Sequence, residues 1–301
     1  PEAFHIGGKV PELEGAIVLR KCPAHLARKI DLLLVSVGGN DVGFARLVAN
    51  AVLRDRTVLK RLGGWFGHVY GKDDTAAPMA ELRARYKALQ RAVHNILHIP
   101  WSEPDRVVLA AYPRMALLDD GRSVCPSGRV GMEVMPAYEL DAKRARDGEE
   151  VAERLDRTMR AAAQAYGWRF AARHRNAFLS RGICAGFTKA AFSIADDLRF
   201  PRKVDGKWVP YNPADFRPYA SRQRWFRTPN DAFLTGNFHV TGSLLQHVLQ
   251  QPRLMWTQLM LASTYSGAFH PTAEGQAAMA DAVAAEARAV LERYSGGNLE
   301  H

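Results

Sequence analysis

Short apolar runs that alternate with helix-like segments constrain this sequence most. Residues 30–37 form an apolar run that ends at Gly38 and Gly39, residues 106–113 repeat the design, and residues 168–171 resemble a third run. Between and after the runs, apolar residues fall three or four positions apart: Met79, Leu82, Tyr86, Leu89, Val93 and Ile96; Val151, Leu155, Met159 and Ala162; Ala280, Val283, Ala287, Val290 and Tyr294. The runs predict buried strands and the spacing predicts amphipathic helices. Their alternation predicts an α/β fold with a parallel sheet covered on both faces.

The composition is that of one large domain with a substantial core, since 47% of the 301 residues are hydrophobic. The formal net charge is +10, but the basic residues are spread among acidic ones and no nucleic-acid-binding motif accompanies them. We therefore expect no nucleic acid as a partner. No uninterrupted apolar stretch reaches the roughly 18 to 20 residues of a membrane span, while oligomeric state cannot be read from the sequence.

Both termini have features of a truncated or tagged sequence. The chain begins at Pro1 without a methionine, and Leu299, Glu300 and His301 resemble the start of an expression tag. We expect a single domain over residues 1–298 that is N-terminally incomplete. The absence of a signal peptide therefore carries no information about the compartment.

Residues 187–241 interrupt the periodic pattern and are rich in proline, arginine and aromatic residues. A stretch of this length inside a domain is usually a functional loop or lid. A surface excursion packed by its own aromatic side chains is the alternative. We expect an insertion here and leave both interpretations open.

The three cysteines, Cys22, Cys125 and Cys184, are too few and too scattered for a metal-binding pattern. No metal is therefore expected. Taken alone, the cysteines fit three buried thiols as well as they fit one disulfide with an odd cysteine left over.

Residues 38–44, which follow the first predicted strand, form the first candidate for chemistry. Gly38 and Gly39 allow a sharp turn, and Asp41 is placed to cap the following helix. Asn40 would lie at the carboxyl end of a parallel strand, where open α/β sheets bind ligands. Its amide can donate to a developing oxyanion. An ordinary strand-to-helix turn is the alternative interpretation.

The second candidate is His270, which comes just before the last predicted helix. Pro271 suits the first turn of that helix, and the Glu274 carboxylate suits its exposed amides. His270 would then lie at the edge of the sheet with its imidazole free to act as a base. A purely structural histidine is the alternative.

Together the two segments resemble the SGNH (GDSL-like) hydrolases, in particular their secreted lipase and esterase branch. Residues 35–44 are similar to the third conserved block of that family, and residues 269–272 with Gly275 resemble the fifth block, which ends in the catalytic histidine. Residues 107–114 resemble a Tyr-Pro strand end of this branch, and residues 178–184 resemble the segment that holds a disulfide cysteine.

The resemblance implies a three-layer α/β/α, flavodoxin-like fold and ester hydrolysis. In the family, a serine of the first block attacks the acyl carbon, the histidine takes its proton, and backbone amides with the asparagine side chain hold the oxyanion. Carried over, His270 is the catalytic base and Asn40 is catalytic as the oxyanion-hole donor. Gly38, Gly39 and Asp41 belong to the structural motif.

The resemblance also implies the surroundings of the site. We expect neither a metal nor an organic cofactor. The expected substrate is a small-molecule or lipid ester, and a membrane surface is left open as a partner. It further implies a disulfide between Cys125 and Cys184, with Cys22 free or paired outside this chain. A disulfide implies an extracytoplasmic location, secreted or periplasmic.

Two departures from the family pattern keep other functions open. No Gly-Asp-Ser block or Gly-x-Ser-x-Gly elbow occurs in the chain, so the nucleophilic serine is expected upstream. Gly267 stands where the family usually has aspartate, so another group, such as a backbone carbonyl, must orient the imidazole. The alternatives are an O-acyltransferase with the same residues and a catalytically inactive binding domain.

Overall fold

The computed structural model describes residues 30–55, 70–133, 137–187, 202–204, 207–209, 224–232 and 267–295. Its strands are β1 (Leu33–Val35), β2 (Val107–Ala110), β3 (Arg169–Ala171), β4 (Arg202–Val204) and β5 (Lys207–Val209). Its α-helices are α1 (Phe44–Val52), α2 (Ala76–Asn95), α3 (Ala142–Tyr166), α4 (His174–Phe178) and α5 (Ala273–Ser295). Short 3-10 helices cover Asp73–Thr75 and Pro104–Arg106.

The three predicted strands form one parallel sheet in the order β1-β2-β3. Leu34 of β1 pairs with Val108, and Leu109 of β2 pairs with Phe170. All four residues of β2 are buried, as expected for the central strand of a parallel sheet. The prediction of an α/β fold with a parallel sheet is therefore confirmed, and the complete three-layer architecture stays a prediction.

The predicted helices are also confirmed, and most periodic apolar residues of α2 and α3 face the core. Ile96, just past the end of α2, and Ala280 of α5 are exposed instead. In α2, Met79, Leu82 and Tyr86 are buried, and in α3 Leu155 and Met159 are buried. They pack with the β2 side chains in one hydrophobic cluster. Burial of large apolar side chains of this kind contributes roughly 1.5 to 3 kcal/mol each to the driving force for folding.

A second hydrophobic cluster contains a disulfide between Cys125 and Cys184, both completely buried. This confirms the expected pairing and ties the segment after β2 to the segment after α4. Cys22 lies outside the described residues. Within the described ranges, no helix combines the length and the apolar character that crossing a membrane requires.

Part of the nonperiodic stretch 187–241 belongs to the core. Trp225 and Phe226 are about 2–3% exposed and pack in the same cluster as the disulfide. β4 and β5 pair with each other in an antiparallel ladder. Residues 224–226 are thus buried and do not form an exposed surface loop. Residues 227–232 are also described, whereas residues 188–201, 205–206, 210–223, 233–241 and 299–301 lie outside the described residues.

Candidate active site

Asn40 lies in the turn between β1 and α1. The turn is closed by the Phe44 N–H, which donates to the Gly39 carbonyl, and by the Gly43 N–H, which donates to the Asn40 carbonyl, both at 3.1 Å. Asn40 is exposed, and within the described residues its side chain makes no hydrogen bond. The amide group is therefore available to a ligand.

Gly38 is required by the geometry of this turn. Its φ of 119° lies in a region that L residues rarely adopt, and a Cβ there would lie 2.4 Å from the Tyr86 hydroxyl oxygen. A Cβ on Gly39 would lie 3.0 Å from the Tyr112 ring. The paired glycines thus allow the backbone to pack against the Tyr86 and Tyr112 side chains, with which any Cβ at these positions would be in close contact.

Two consecutive residues of α2 hold the turn from outside. The buried Tyr86 hydroxyl donates to the Val37 carbonyl at 3.0 Å, and the exposed Arg85 guanidinium donates to the Asp41 carboxylate at 2.5 Å. Burial raises the pKa of Tyr86, so its hydroxyl keeps the proton that it donates. Asn40 thus lies in the sequence between Val37 and Asp41, both of which are hydrogen-bonded to α2.

The predicted capping role of Asp41 is wrong. The N-cap of α1 is Gly43, with φ of 72° and no side-chain capping hydrogen bond. Asp41 precedes that position by two residues, and Arg85 engages its carboxylate instead. A tertiary ion pair has replaced the local cap that the sequence suggested.

The loop that carries His270 is held by residues 225–227. The Arg227 N–H donates to the His270 carbonyl at 3.0 Å, and the Phe269 N–H donates back to the Arg227 carbonyl at 2.9 Å. The Thr272 N–H donates to the Trp225 carbonyl at 2.8 Å. Sequence reasoning missed this support, because pairing between distant segments leaves no periodic pattern. The adjacent aromatic residues at 225 and 226 were the one available signal.

The start of α5 differs from the prediction. Pro271 is not in the first helical turn, because α5 begins at Ala273 and Pro271 instead bridges to Phe226. The Thr272 hydroxyl accepts from the Gly275 N–H at 3.2 Å and so serves the exposed amides of the helix start. Glu274 lies in the first turn as expected.

A backbone carbonyl orients the His270 ring. Nδ1 lies 2.9 Å from the Ala268 carbonyl oxygen, and His270 is exposed. A carbonyl can only accept, so Nδ1 must carry the hydrogen in this contact, which leaves Nε2 as the nitrogen able to take a proton. The Ala268 carbonyl thus contacts the ring nitrogen that an aspartate at position 267 would contact in the family pattern.

Asn40 and His270 line the same cavity, which has a volume of about 630 Å³. Its walls come from β1, α1, α5 and the residues that follow β2. None of the described lining residues is charged, and only six have polar side chains: Ser36, Asn40, Tyr112, Tyr138, His270 and Gln276. The structure therefore brings the two candidate residues into one largely apolar site, and their catalytic roles stay predictions.

Among the described residues, no group of three histidine, cysteine, aspartate or glutamate side chains is close enough to hold a metal ion. The fold and the site define an α/β protein with an amide and an imidazole in one apolar cavity. No protein-family model matches the chain, and no curated protein matches it either. The family resemblance rests on the motif residues alone.

Proposed function

We propose that the protein is an ester hydrolase of the SGNH type that works through an acyl-enzyme. One observation carries the proposal: Asn40 and His270, far apart in sequence, line one cavity. Asn40 follows β1, and the lining residues Tyr112 and Pro113 follow β2, which places this cavity at the carboxyl end of the parallel sheet. Ligands of open α/β sheets bind at this end.

Each residue has a defined task in the proposed reaction. His270 Nε2 takes the proton of the serine hydroxyl as that oxygen attacks the ester carbonyl carbon. The Asn40 amide donates to the oxyanion that forms. His270 then gives the proton to the departing alcohol, and water repeats the sequence to release the acid. The Ala268 carbonyl holds the Nδ1–H throughout.

The nucleophile is proposed to come from a strand upstream of this chain that pairs with β1. β1 is an edge strand of the described sheet, and its Leu34 is 53% exposed although the run is apolar on both faces. Such runs are typical of strands buried within a parallel sheet. A parallel strand added at this edge would end beside Asn40, where the serine is needed.

A catalytically inactive binding domain is the second candidate. Two observations favour it, namely the lack of a Gly-Asp-Ser block in the chain and the presence of Gly267 instead of a carboxylate. An O-acyltransferase would use the same residues with a sugar or other hydroxyl in place of water. We favour an active enzyme over the binding domain, because the Ala268 contact supplies the orientation that the missing carboxylate would give.

Covalent labelling tests the proposal. We would treat the full-length protein with a fluorophosphonate probe and locate the modified residue by mass spectrometry. A single labelled serine upstream of Pro1 is expected, with labelling lost in His270→Ala and kept in His98→Ala, which changes an exposed histidine outside the cavity. A protein without any labelled serine would support the binding domain. A label on Ser36 would contradict the upstream nucleophile.

An extracytoplasmic location is part of the same proposal. The buried disulfide between Cys125 and Cys184 supports it, because disulfides persist mainly in oxidising compartments. Expression with and without export to an oxidising compartment tests this. We expect labelled protein from both, with the higher free energy of unfolding where the disulfide forms.

A further inference from the structure

We infer that Glu149 of α3 is a positioning residue of the candidate site, although it does not line the cavity. Its carboxylate holds the segment that follows β2, and this segment packs against the turn that carries Asn40. The positioning role goes beyond the proposed function, which assigns tasks only to residues of the cavity and of the His270 loop. It rests on that function only where turnover is measured.

The segment of residues 111–115, which follows β2, contributes one wall of the cavity. It has no regular secondary structure, and Tyr112, Pro113 and Met115 line the cavity. Outside a helix or a sheet, backbone N–H groups need acceptors from other parts of the protein. The position of this wall therefore depends on side chains of neighbouring elements.

Glu149 supplies the acceptors. Its Oε1 accepts from the Met115 N–H at 3.1 Å and from the Ala116 N–H at 2.7 Å, whereas its Oε2 accepts from Arg114 Nε at 2.9 Å. Glu149 is 6% exposed, so these contacts are shielded from water. Hydrogen bonds to a charged carboxylate are stronger than neutral ones, and a buried N–H without an acceptor is costly. The three bonds thus fix the end of the wall.

A second anchor also depends on α3. The Arg175 guanidinium donates to the Tyr112 carbonyl at 2.5 Å and pairs with the Glu153 carboxylate at 2.5 Å. Glu153 also lies 3.3 Å from Arg114 Nε. Glu149 and Glu153 are four residues apart and are therefore neighbours on the helix surface. One helix thus supplies the carboxylates behind both ends of the wall.

The wall in turn supports the turn of Asn40. A Cβ on Gly39 would lie 3.0 Å from the Tyr112 ring, so this ring packs directly against the backbone that precedes Asn40. Movement of the wall would remove the contact, and the Asn40 amide would no longer be held in place. A displacement of about 1 Å near a reacting centre can cost roughly a hundredfold in rate. Glu149 is thus placed to affect the site without touching a ligand.

Two substitutions of Glu149 separate the reach of its side chain from its charge. Glu149→Gln keeps Oε1 as the acceptor of both backbone N–H groups and loses the charge, while Arg114 keeps the Glu153 carboxylate. Glu149→Asp keeps the charge but is one methylene shorter, so it cannot hold the wall in the same place. In turnover of nitrophenyl esters by the full-length protein, Glu149→Asp should lower kcat by about tenfold or more with a smaller change in KM. Glu149→Gln should stay within about threefold of the wild type.

The Asn40 side-chain amide gives a readout that needs no turnover. We would record its NMR resonances in isotope-labelled protein and assign them by their loss in Asn40→Ala. Glu149→Asp should shift these resonances, and Glu149→Gln should leave them in place. Arg106→Met is the matched control, because it removes a buried charge at the amino end of β2, outside the cavity. It should change neither the resonances nor kcat.

The outcomes separate the positioning role from the hydrolase proposal. Shifted Asn40 resonances in Glu149→Asp without any fluorophosphonate-labelled serine would uphold the positioning role and reject the hydrolase. Unchanged resonances in Glu149→Asp, or an unchanged kcat in a protein with a labelled serine, would overturn the positioning role. Equal effects of Glu149→Asp and Glu149→Gln, or of Glu149→Asp and Arg106→Met, would overturn it as well. If Glu149→Asp does not fold, Arg175→Lys, which weakens the second anchor, should show the same shift and the same loss of kcat.

Discussion

The Tyr86 hydroxyl donates a 3.0 Å hydrogen bond to the Val37 carbonyl and thereby fastens the turn that carries Asn40 to helix α2. Tyr86 is 2% exposed, so the contact is made in the core. The position of the proposed oxyanion donor thus depends on a residue from a separate helix. Gly38 follows Val37, and a Cβ there would lie 2.4 Å from the Tyr86 hydroxyl oxygen, so this position has no room for a side chain.

Gly38→Ala should destabilise the protein by about 1 to 3 kcal/mol, because φ of 119° is strained for alanine. The added Cβ would also meet the Tyr86 hydroxyl at 2.4 Å. Tyr86→Phe removes that hydroxyl, so the double variant should be less destabilised than the sum of the single variants. Urea unfolding of all four proteins gives the coupling energy. Additive losses would contradict the proposed contact.

Removing the disulfide should lower the free energy of unfolding without changing the fold. Cys125 and Cys184 are 59 residues apart in sequence, and a bridge of this kind typically contributes about 2 to 4 kcal/mol. Cys125→Ala combined with Cys184→Ala should therefore shift the urea midpoint downward. The wild-type protein in dithiothreitol should approach the same midpoint, and equal midpoints with and without reductant would show that no bridge forms.

His174 should make the protein sensitive to mild acid. Its Nε2–H donates to the Ala111 carbonyl at 2.9 Å, while its buried Nδ1 has no hydrogen-bond partner among the described residues. Burial lowers the pKa of His174, so the folded protein binds fewer protons than the unfolded chain. Stability should therefore fall as the pH drops through about 6.5, the ordinary histidine value, towards the lowered pKa.

His174→Gln is the matched variant for this effect, because its amide can still donate to Ala111 but does not titrate. Thermal melts between about pH 7 and pH 5 should show a smaller loss of stability in this variant than in the wild type. Parallel melting curves of the two proteins would assign the acid sensitivity to another group.

The parts of this fold that were predictable have a local sequence signal. Buried parallel strands are continuous apolar runs and amphipathic helices repeat every 3.6 residues, so β1 to β3 and the long helices could be predicted from the sequence. The His270 loop could not, because its support comes from residues 225–227 through backbone pairing between distant segments. The Asp41 cap failed for a related reason, since Arg85 of a different helix takes its carboxylate.

The sequence indicated which residues could form the candidate site, but not which groups surround them. The motifs identified Asn40 and His270, and the family pattern raised the question of what orients the imidazole. The contact of the imidazole with the Ala268 carbonyl depends on the conformation of the loop, which no sequence pattern indicates.

Turnover of nitrophenyl esters by the full-length protein tests the joint role of Asn40 and His270 most directly. His270→Ala should remove nearly all turnover, because no other described residue of the cavity offers an imidazole base. Asn40→Ala should lower kcat by about a hundredfold to a thousandfold, the usual effect of losing one oxyanion donor. His98→Ala and Asn95→Ala, at exposed positions outside the cavity, should leave turnover unchanged. Turnover that survives His270→Ala within a few-fold would contradict the proposed site.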